Sequence, residues 1–255
     1  MKRIFAIIIS AVCLGISYEA YAQDSVYLVS NPQTAKWSYV ETDSNGKQTA
    51  TVYYSVDAIE GDAVNGNLKL CVEEVPVASP KDTTKSFDFY RFKNGELIAD
   101  VYAGFEYNVF DGKLESFVNK TLQEQYPDLT EEKKKEVIDG VRSELFNISG
   151  EIRGIPRYPK VGKLPDYDYN FKFSLMSIRV IGKERRIVGR EKIQTKAGLF
   201  DCYIMEETIS TKILMMKDVE KIKSWYAHGI GLVKEITYDK NGKMISTMIL
   251  NEVNW

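Results

Sequence analysis

From Lys36 onward, hydrophobic and polar positions alternate with a period of two, in short runs separated by polar turns. Lys36–Thr42 (KWSYVET) and Lys47–Ile59 (KQTATVYYSVDAI) flank Asp43-Ser44-Asn45-Gly46. Leu68–Val75 follows Asn65-Gly66-Asn67, and Ser86–Phe92 and Glu96–Phe105 flank Lys93-Asn94-Gly95. Near the C-terminus, GLVKEITY and KMISTMIL flank Asp239-Lys240-Asn241-Gly242. Runs rich in β-branched and aromatic residues around Asn-Gly predict antiparallel hairpins, because Asn and Gly tolerate the positive φ that tight turns need. Val75–Lys85 reads as a surface loop.

One segment changes period. After Pro127, Val137, Ile138, Val141 and Leu145 recur at helical spacing, with Thr130 placed to cap and acids in the first turn. This predicts an amphipathic helix over Glu131–Phe146, preceded by a weaker one over Leu114–Gln125, whose apolar stripe packs on the sheet. Ile152–Tyr169, with Pro156, Pro159 and Pro165, reads as an extended connection.

Several strands carry apolar groups on both faces, where a sheet with one wet face would alternate. Tyr203, Met205 and Ile209 line one side of their run while Ile204 joins Phe200 and Cys202 on the other; Met244, Met248 and Leu250 oppose Ile245 and Ile249. The predicted fold is mainly β: an antiparallel, strongly curved sheet or open barrel with one or two covering helices. A two-sheet β-sandwich is the alternative.

The first residues point to a compartment. Lys2 and Arg3, the apolar run Ile4–Ile16, and Ala20-Tyr21-Ala22 have the three-part form of a cleaved signal peptide. The apolar run is shorter than the roughly 20 residues that span a bilayer. The expected organisation is a signal peptide at 1–22 and one mainly-β domain at 23–255, with a helical insert at about 114–147. A periplasmic or secreted location follows, with no transmembrane segment in the mature chain. Cleavage removes Lys2, Arg3 and Glu19, so the formal charge moves from −2 to −3. Such a chain is poorly suited to nucleic acid, which needs clustered cations.

The chemistry available is narrow. His228 is the only histidine, so no His-rich metal site can form. Its neighbours Gly229 and Gly231 place it in a turn between strands. Local signatures for zinc, calcium, nucleoside triphosphates or a nucleophile elbow are absent. No catalytic residue, metal or cofactor is expected. Asp166 and Asp168 alternate in LPDYDY, the spacing from which a two-carboxylate glycan site would be built. Cys71 and Cys202 remain after cleavage, and a disulfide and a buried free Cys202 both stay open.

Three blocks together resemble a known family: YPKVGKLPD (Tyr158–Asp166), GREKIQTKAGLFDCYIMEE (Gly189–Glu207) and KSWYAHGIGLVKEITYDKNGKMIS (Lys223–Ser246). They are similar to the corresponding blocks of the TapB-like proteins, an exported domain-of-unknown-function family of Bacteroidales. This chain departs from the pattern at Lys163, Leu199 and Ile230. The resemblance implies a curved sheet like that of periplasmic lipoprotein carriers, a helix covering its mouth, and no established activity. Phe200, Tyr203, Met205, Trp225 and Tyr226 then become packing anchors, with at most a share in lining a cavity. The same source implies O-glycosylation at Asp-Ser/Thr-apolar tripeptides, with Ser25 matching and Thr83 nearly matching.

The function expected is a non-enzymatic binding protein holding an apolar or amphipathic ligand, a lipid or peptide, in the concave face. An envelope protein-interaction module is the second reading, and a carboxylate-based glycan hydrolase the third.

Overall fold

The computed structural model describes residues 35–61, 65–94, 96–110, 113–173 and 176–254. The expected signal peptide, its expected cleavage point and Ser25 lie outside them. The chain enters as three consecutive antiparallel strands, β1 (Lys36–Asp43), β2 (Gln48–Gly61) and β3 (Asn65–Pro76). A 3₁₀ turn at Pro80–Asp82 leads to β4 (Thr84–Lys93) and the short β5 (Glu96–Ala99). Three helices follow: α1 (Val101–Phe110), α2 (Lys113–Gln125) and α3 (Glu131–Leu145). Then come β6 (Phe146–Ser149), β7 (Ile152–Pro156), β8 (Gly162–Lys163) and β9 (Tyr167–Phe173). The chain finishes in long strands: β10 (Met176–Gln194), β11 (Leu199–Ile213), β12 (Met216–Ala227), β13 (Gly231–Asp239) and β14 (Met244–Asn254).

Among the described residues, all fourteen strands belong to one sheet, in the order β6-β9-β10-β11-β12-β13-β14-β1-β2-β3-β4-β5-β7, with β8 beside β10. Every pairing among the described residues is antiparallel, and the first and last strands meet where β1 pairs with β14. The turns follow from local chemistry. Asp43 Oδ1 accepts the N–H groups of Asn45 and Lys47 at 2.8 and 3.0 Å, while Gly46 takes φ 76°. Asp239 does the same for Asn241 and Lys243 at 2.8 and 2.9 Å, with Gly242 at φ 84°. These N–H donors hold both carboxyls below the usual aspartate range.

The predicted helices are present, and α3 is capped as expected by Thr130, whose Oγ1 accepts the Lys133 N–H at 3.4 Å. The run Glu96–Phe105 is not one strand. Asp100 ends it, because its Oδ1 accepts the Ala103 N–H at 3.0 Å and so caps α1. Helical structure therefore begins at Val101, ahead of the expected insert. From α1, Tyr107 packs on Phe87 and Phe89, with ring centroids at 4.8 and 5.5 Å. Phe105 meets Phe171 and Phe173 at 5.0 and 5.6 Å. On α3, Ile138 is buried and its neighbour Val137 is exposed.

The expectation of a strongly curved sheet or open barrel is corrected by this topology. The sheet is open: β6 and β7 are its two termini, and it is neither closed nor strongly curled. Nor are there two separate sheets, since among the described residues every strand is hydrogen-bonded into this one, β8 through its pairing with β10. The doubly apolar strands have a different cause. One set of side chains forms a single continuous core from Trp37 and Tyr39 through Leu70, Phe171 and Val180 to Leu232. Elsewhere, aromatic faces are capped by cations. The Lys69 ammonium lies 4.3 Å from the Phe87 ring and 3.9 Å from Tyr107; Trp225 lies between Lys223 and Lys234 at 5.3 and 4.9 Å. Such stems and heads cover apolar surface while keeping the charge in water.

Candidate functional site

The five anchor residues lie on adjacent strands, β11 and β12. Tyr203 is opposite Tyr226, Ile204 is opposite Trp225, and Met205 is opposite Ser224. Met205, Trp225 and Tyr226 are buried in the core, and Phe200 and Tyr203 pack against it half-buried. The Trp225 indole N–H donates to Glu191 at 2.8 Å, and the Arg190 guanidinium stands 4.8 Å over Tyr203. His228 occupies the turn between β12 and β13, exposed, with its ring edge-on to Tyr203 at 5.4 Å.

Cys71 and Cys202 are both free. The disulfide considered from their even number does not form, for a topological reason: β12, β13, β14, β1 and β2 lie between β11, which carries Cys202, and β3, which carries Cys71. Burial pushes the Cys202 thiol up to about 12, and nearby Asp201 and Glu191 add to this. Thr83 is exposed, and its hydroxyl donates to the Pro80 carbonyl at 2.7 Å. Asp168 is engaged by Arg179, whose Nε donates to Oδ1 at 2.9 Å and whose Nη2 pairs with Oδ2. That pairing holds the Asp168 carboxyl below its ordinary range.

Two features escaped the sequence reading. The first is Arg185, which stands among the charged residues of Lys183–Arg186 yet is only 1 % exposed. Glu184 takes φ 56°, and the register slips between Lys183 and Arg186. This bulge turns Arg185 inward in place of Glu184. Its Nε donates to Glu207 at 2.9 Å, Nη1 to the Pro165 carbonyl at 2.8 Å, and Nη2 to the Arg153 and Gly154 carbonyls at 2.6 and 2.8 Å. Its guanidinium also lies 4.9 Å from the Tyr167 ring. Burial raises the Glu207 carboxyl, and Arg185 opposes that rise by charge and hydrogen bond.

The second is a surface groove of about 270 Å³ across β14, β1, β2 and β3. Its lining includes Ser38, Ser55 and Cys71, the half-exposed Tyr53, and charges of both signs in Lys36, Glu73 and Glu252. Trp37 also lines it, stacked on Tyr54 at 5.7 Å, and its indole N–H has no acceptor among the described residues. None of the five anchors contributes to this groove. The available signal was the alternation Tyr53-Ser55 opposite Cys71-Glu73, a polar face on otherwise apolar strands.

Among the described residues, no group of His, Cys, Asp and Glu is arranged to hold a metal ion, and no helix is long and apolar enough to cross a membrane. Residues 162–250, which span β8 to β14 almost to its end, match a family model described as DUF3108-like. No curated protein matches the chain. Two solved structures share the architecture. One, from Parabacteroides distasonis and designated a lipoprotein, is 20% identical with a TM-score of 0.55, covering 88% of this chain and 97% of its own. The other, from Bacteroides fragilis and designated an exported protein with a YmcC-like fold, is 13% identical with a TM-score of 0.56, covering 89% and 99%. At these identities the likeness shows the fold, which this chain shares almost end to end with both.

Proposed function

We propose that this chain is an exported, non-catalytic interaction module of the cell envelope, which receives a segment of a protein partner in the groove across β14, β1, β2 and β3. The observation that carries the reading is the filled interior. Tyr39, Leu70, Phe171, Leu232 and Val233 are completely buried in one continuous core, so recognition falls to the outer surface. The groove offers what a partner segment requires: an exposed aromatic ring in Tyr53 and charges of both signs. The exported location is supported by the leader-like N-terminus and by the two exported or lipoprotein-designated proteins of the same fold. The C-terminal blocks that resemble TapB-like proteins fall largely within the DUF3108-like match. Non-catalytic use fits the engagement of Asp168 by Arg179 and the exposed turn position of His228.

The test is photo-crosslinking in intact cells from an aromatic-ketone amino acid at Tyr53, with the exposed Val188 on β10 as the control position. A discrete protein adduct at Tyr53 and none at Val188 is expected. An apolar small molecule recovered with the native protein, together with no adduct at Tyr53, would overturn the reading.

A further inference from the structure

The hairpin joining β11 to β12 differs from the other tips of the sheet. Those between β1 and β2, and between β13 and β14, are Asp-x-Asn-Gly, polar and turn-adapted. The β11–β12 tip is Leu214-Met215, followed by Met216 at the start of β12. Met215 is 96 % exposed, Leu214 51 % and Met216 44 %. Leu214 also sits at φ 55°, the only apolar side chain at positive φ among the described residues. A leucine there meets a steric cost that Gly or Asn avoids. The turn is held nonetheless, with the Leu214 N–H donating to the Ser177 carbonyl at 2.9 Å. The result is three exposed apolar groups at the end of a two-strand stem paired in continuous register.

Charge names the occupant. Directly behind the tip, Lys212 and Lys217 face each other in register, and both are exposed. Like charges placed opposite each other destabilise a strand pair. Elsewhere on these strands basic groups meet acids: Arg186 with Glu206, Arg190 with Asp201 and Lys223 with Glu206. Neither Lys212 nor Lys217 has an acidic partner among the described residues. Asp218, adjacent in sequence to Lys217, is engaged locally, its Oδ1 accepting the Val219 N–H at 2.8 Å. An apolar point with a cationic collar matches the cross-section of an anionic bilayer surface, where hydrocarbon lies beneath phosphate. A protruding point also lacks the concavity that a protein partner's anchor residue would fill.

We infer that the β11–β12 tip is a membrane-docking element: Leu214, Met215 and Met216 enter the acyl boundary while Lys212 and Lys217 contact anionic phospholipid headgroups. This attachment needs no spanning segment and is distinct from the groove on β14–β3.

The test is flotation of the protein purified as exported, its N-terminus verified by intact mass, with phosphatidylcholine vesicles with and without phosphatidylglycerol. Binding to the anionic vesicles and weakening by added salt are expected. Leu214→Asn with Met215→Gly installs a turn pair suited to the hairpin, so the fold is kept while binding falls at least about tenfold. Lys212→Gln with Lys217→Gln lowers binding to anionic vesicles by about tenfold and leaves the residual phosphatidylcholine binding unchanged. Three results would overturn the inference: no flotation of the parent protein, undiminished flotation of the Asn-Gly variant, or equal binding to both vesicle types. A fourth is a tip variant that abolishes self-association in sedimentation while vesicle binding stays at baseline, which would assign the tip to a second copy of the chain.

Discussion

Glu207 and Asp88 are both buried carboxylates on strands of one sheet, yet their surroundings differ in every other respect. Glu207 on β11 accepts a hydrogen bond from Arg185, which also donates to three backbone carbonyls around β7 and Pro165. Asp88 on β4 has no hydrogen-bond or ion-pair partner among the described residues, and burial alone lifts its carboxyl to about 7. The contrast separates two uses of a buried charge. At β10–β11 the charge is a connector: one guanidinium satisfies acceptors from three stretches of chain that share no ladder there. At β4 the charge is a liability at neutral pH, removed only by taking up a proton.

The connector predicts the largest effect. Arg185→Met leaves Glu207 buried without a counter-charge and three carbonyls without their donor. Breaking a buried ion pair costs about 3–5 kcal/mol, and each orphaned buried acceptor adds about 1–3 kcal/mol. Urea unfolding should therefore show a loss of at least about 5 kcal/mol, or no folded protein. Glu207→Gln, which keeps the guanidinium and its carbonyl bonds, should lose much less. Equal losses in the two variants would refute the connector role and assign the whole effect to the pair itself.

Asp88 predicts the next effect, with the opposite sign. Its folded pKa of about 7 lies above the ordinary aspartate value of 3.8, so the folded state binds the proton more tightly than the unfolded chain. Stability is then greatest below the unfolded pKa and falls as pH rises towards the folded value. At roughly 1.4 kcal/mol per unit, that window is worth on the order of 4 kcal/mol. Asp88→Asn removes this dependence. The variant should match the parent near pH 4 and exceed it by on the order of 4 kcal/mol at pH 8, as read from urea midpoints at each pH. A constant offset between the two across that range would mean that Asp88 is not the group responsible.

These regions were unequally legible in the sequence, for definite reasons. The turns at Asp43–Gly46 and Asp239–Gly242 were readable because the Asp carboxylate, the Asn and the Gly each serve a local role. Helix α3 was readable from its cap and its period. Glu96–Phe105 was misread because aromatic and β-branched residues suit strand and helix alike, and only the Asp100 cap decides between them. Arg185 was hidden by a bulge whose left-handed residue is Glu184, where a glycine would have given warning. The apolar faces were visible, but their covers were not: Lys69 reaches Tyr107 from 38 residues away in sequence, and a curved sheet had been inferred in place of such caps. The β11–β12 tip had a signal of its own, since a turn must fall within Lys212–Lys217 and neither Gly nor Asn is present.

Glu220 on β12 stands between the two extremes and predicts the smallest effect. It is only partly buried, its Oε2 has no hydrogen-bond partner, and its carboxyl is raised to about 7. Burial is the main cause, with the negative charges of Asp218 and Glu235 adding to it. The direction matches Asp88, so this contribution to stability is also lost as pH rises from the ordinary glutamate range towards 7. Solvent reaches part of the group and screens it, which reduces the expected gain from Glu220→Gln at pH 8 to about 1 kcal/mol. What distinguishes it from Asp88 is the response to its neighbours. Glu235 is buried and accepts the Ser224 hydroxyl at 2.9 Å, so Glu235→Gln removes a repelling charge without emptying that site. That substitution should lower the Glu220 pKa, seen as a shift of its carboxyl resonance in an NMR titration, while Asp88 stays unmoved. If burial alone set both values, neither resonance would shift.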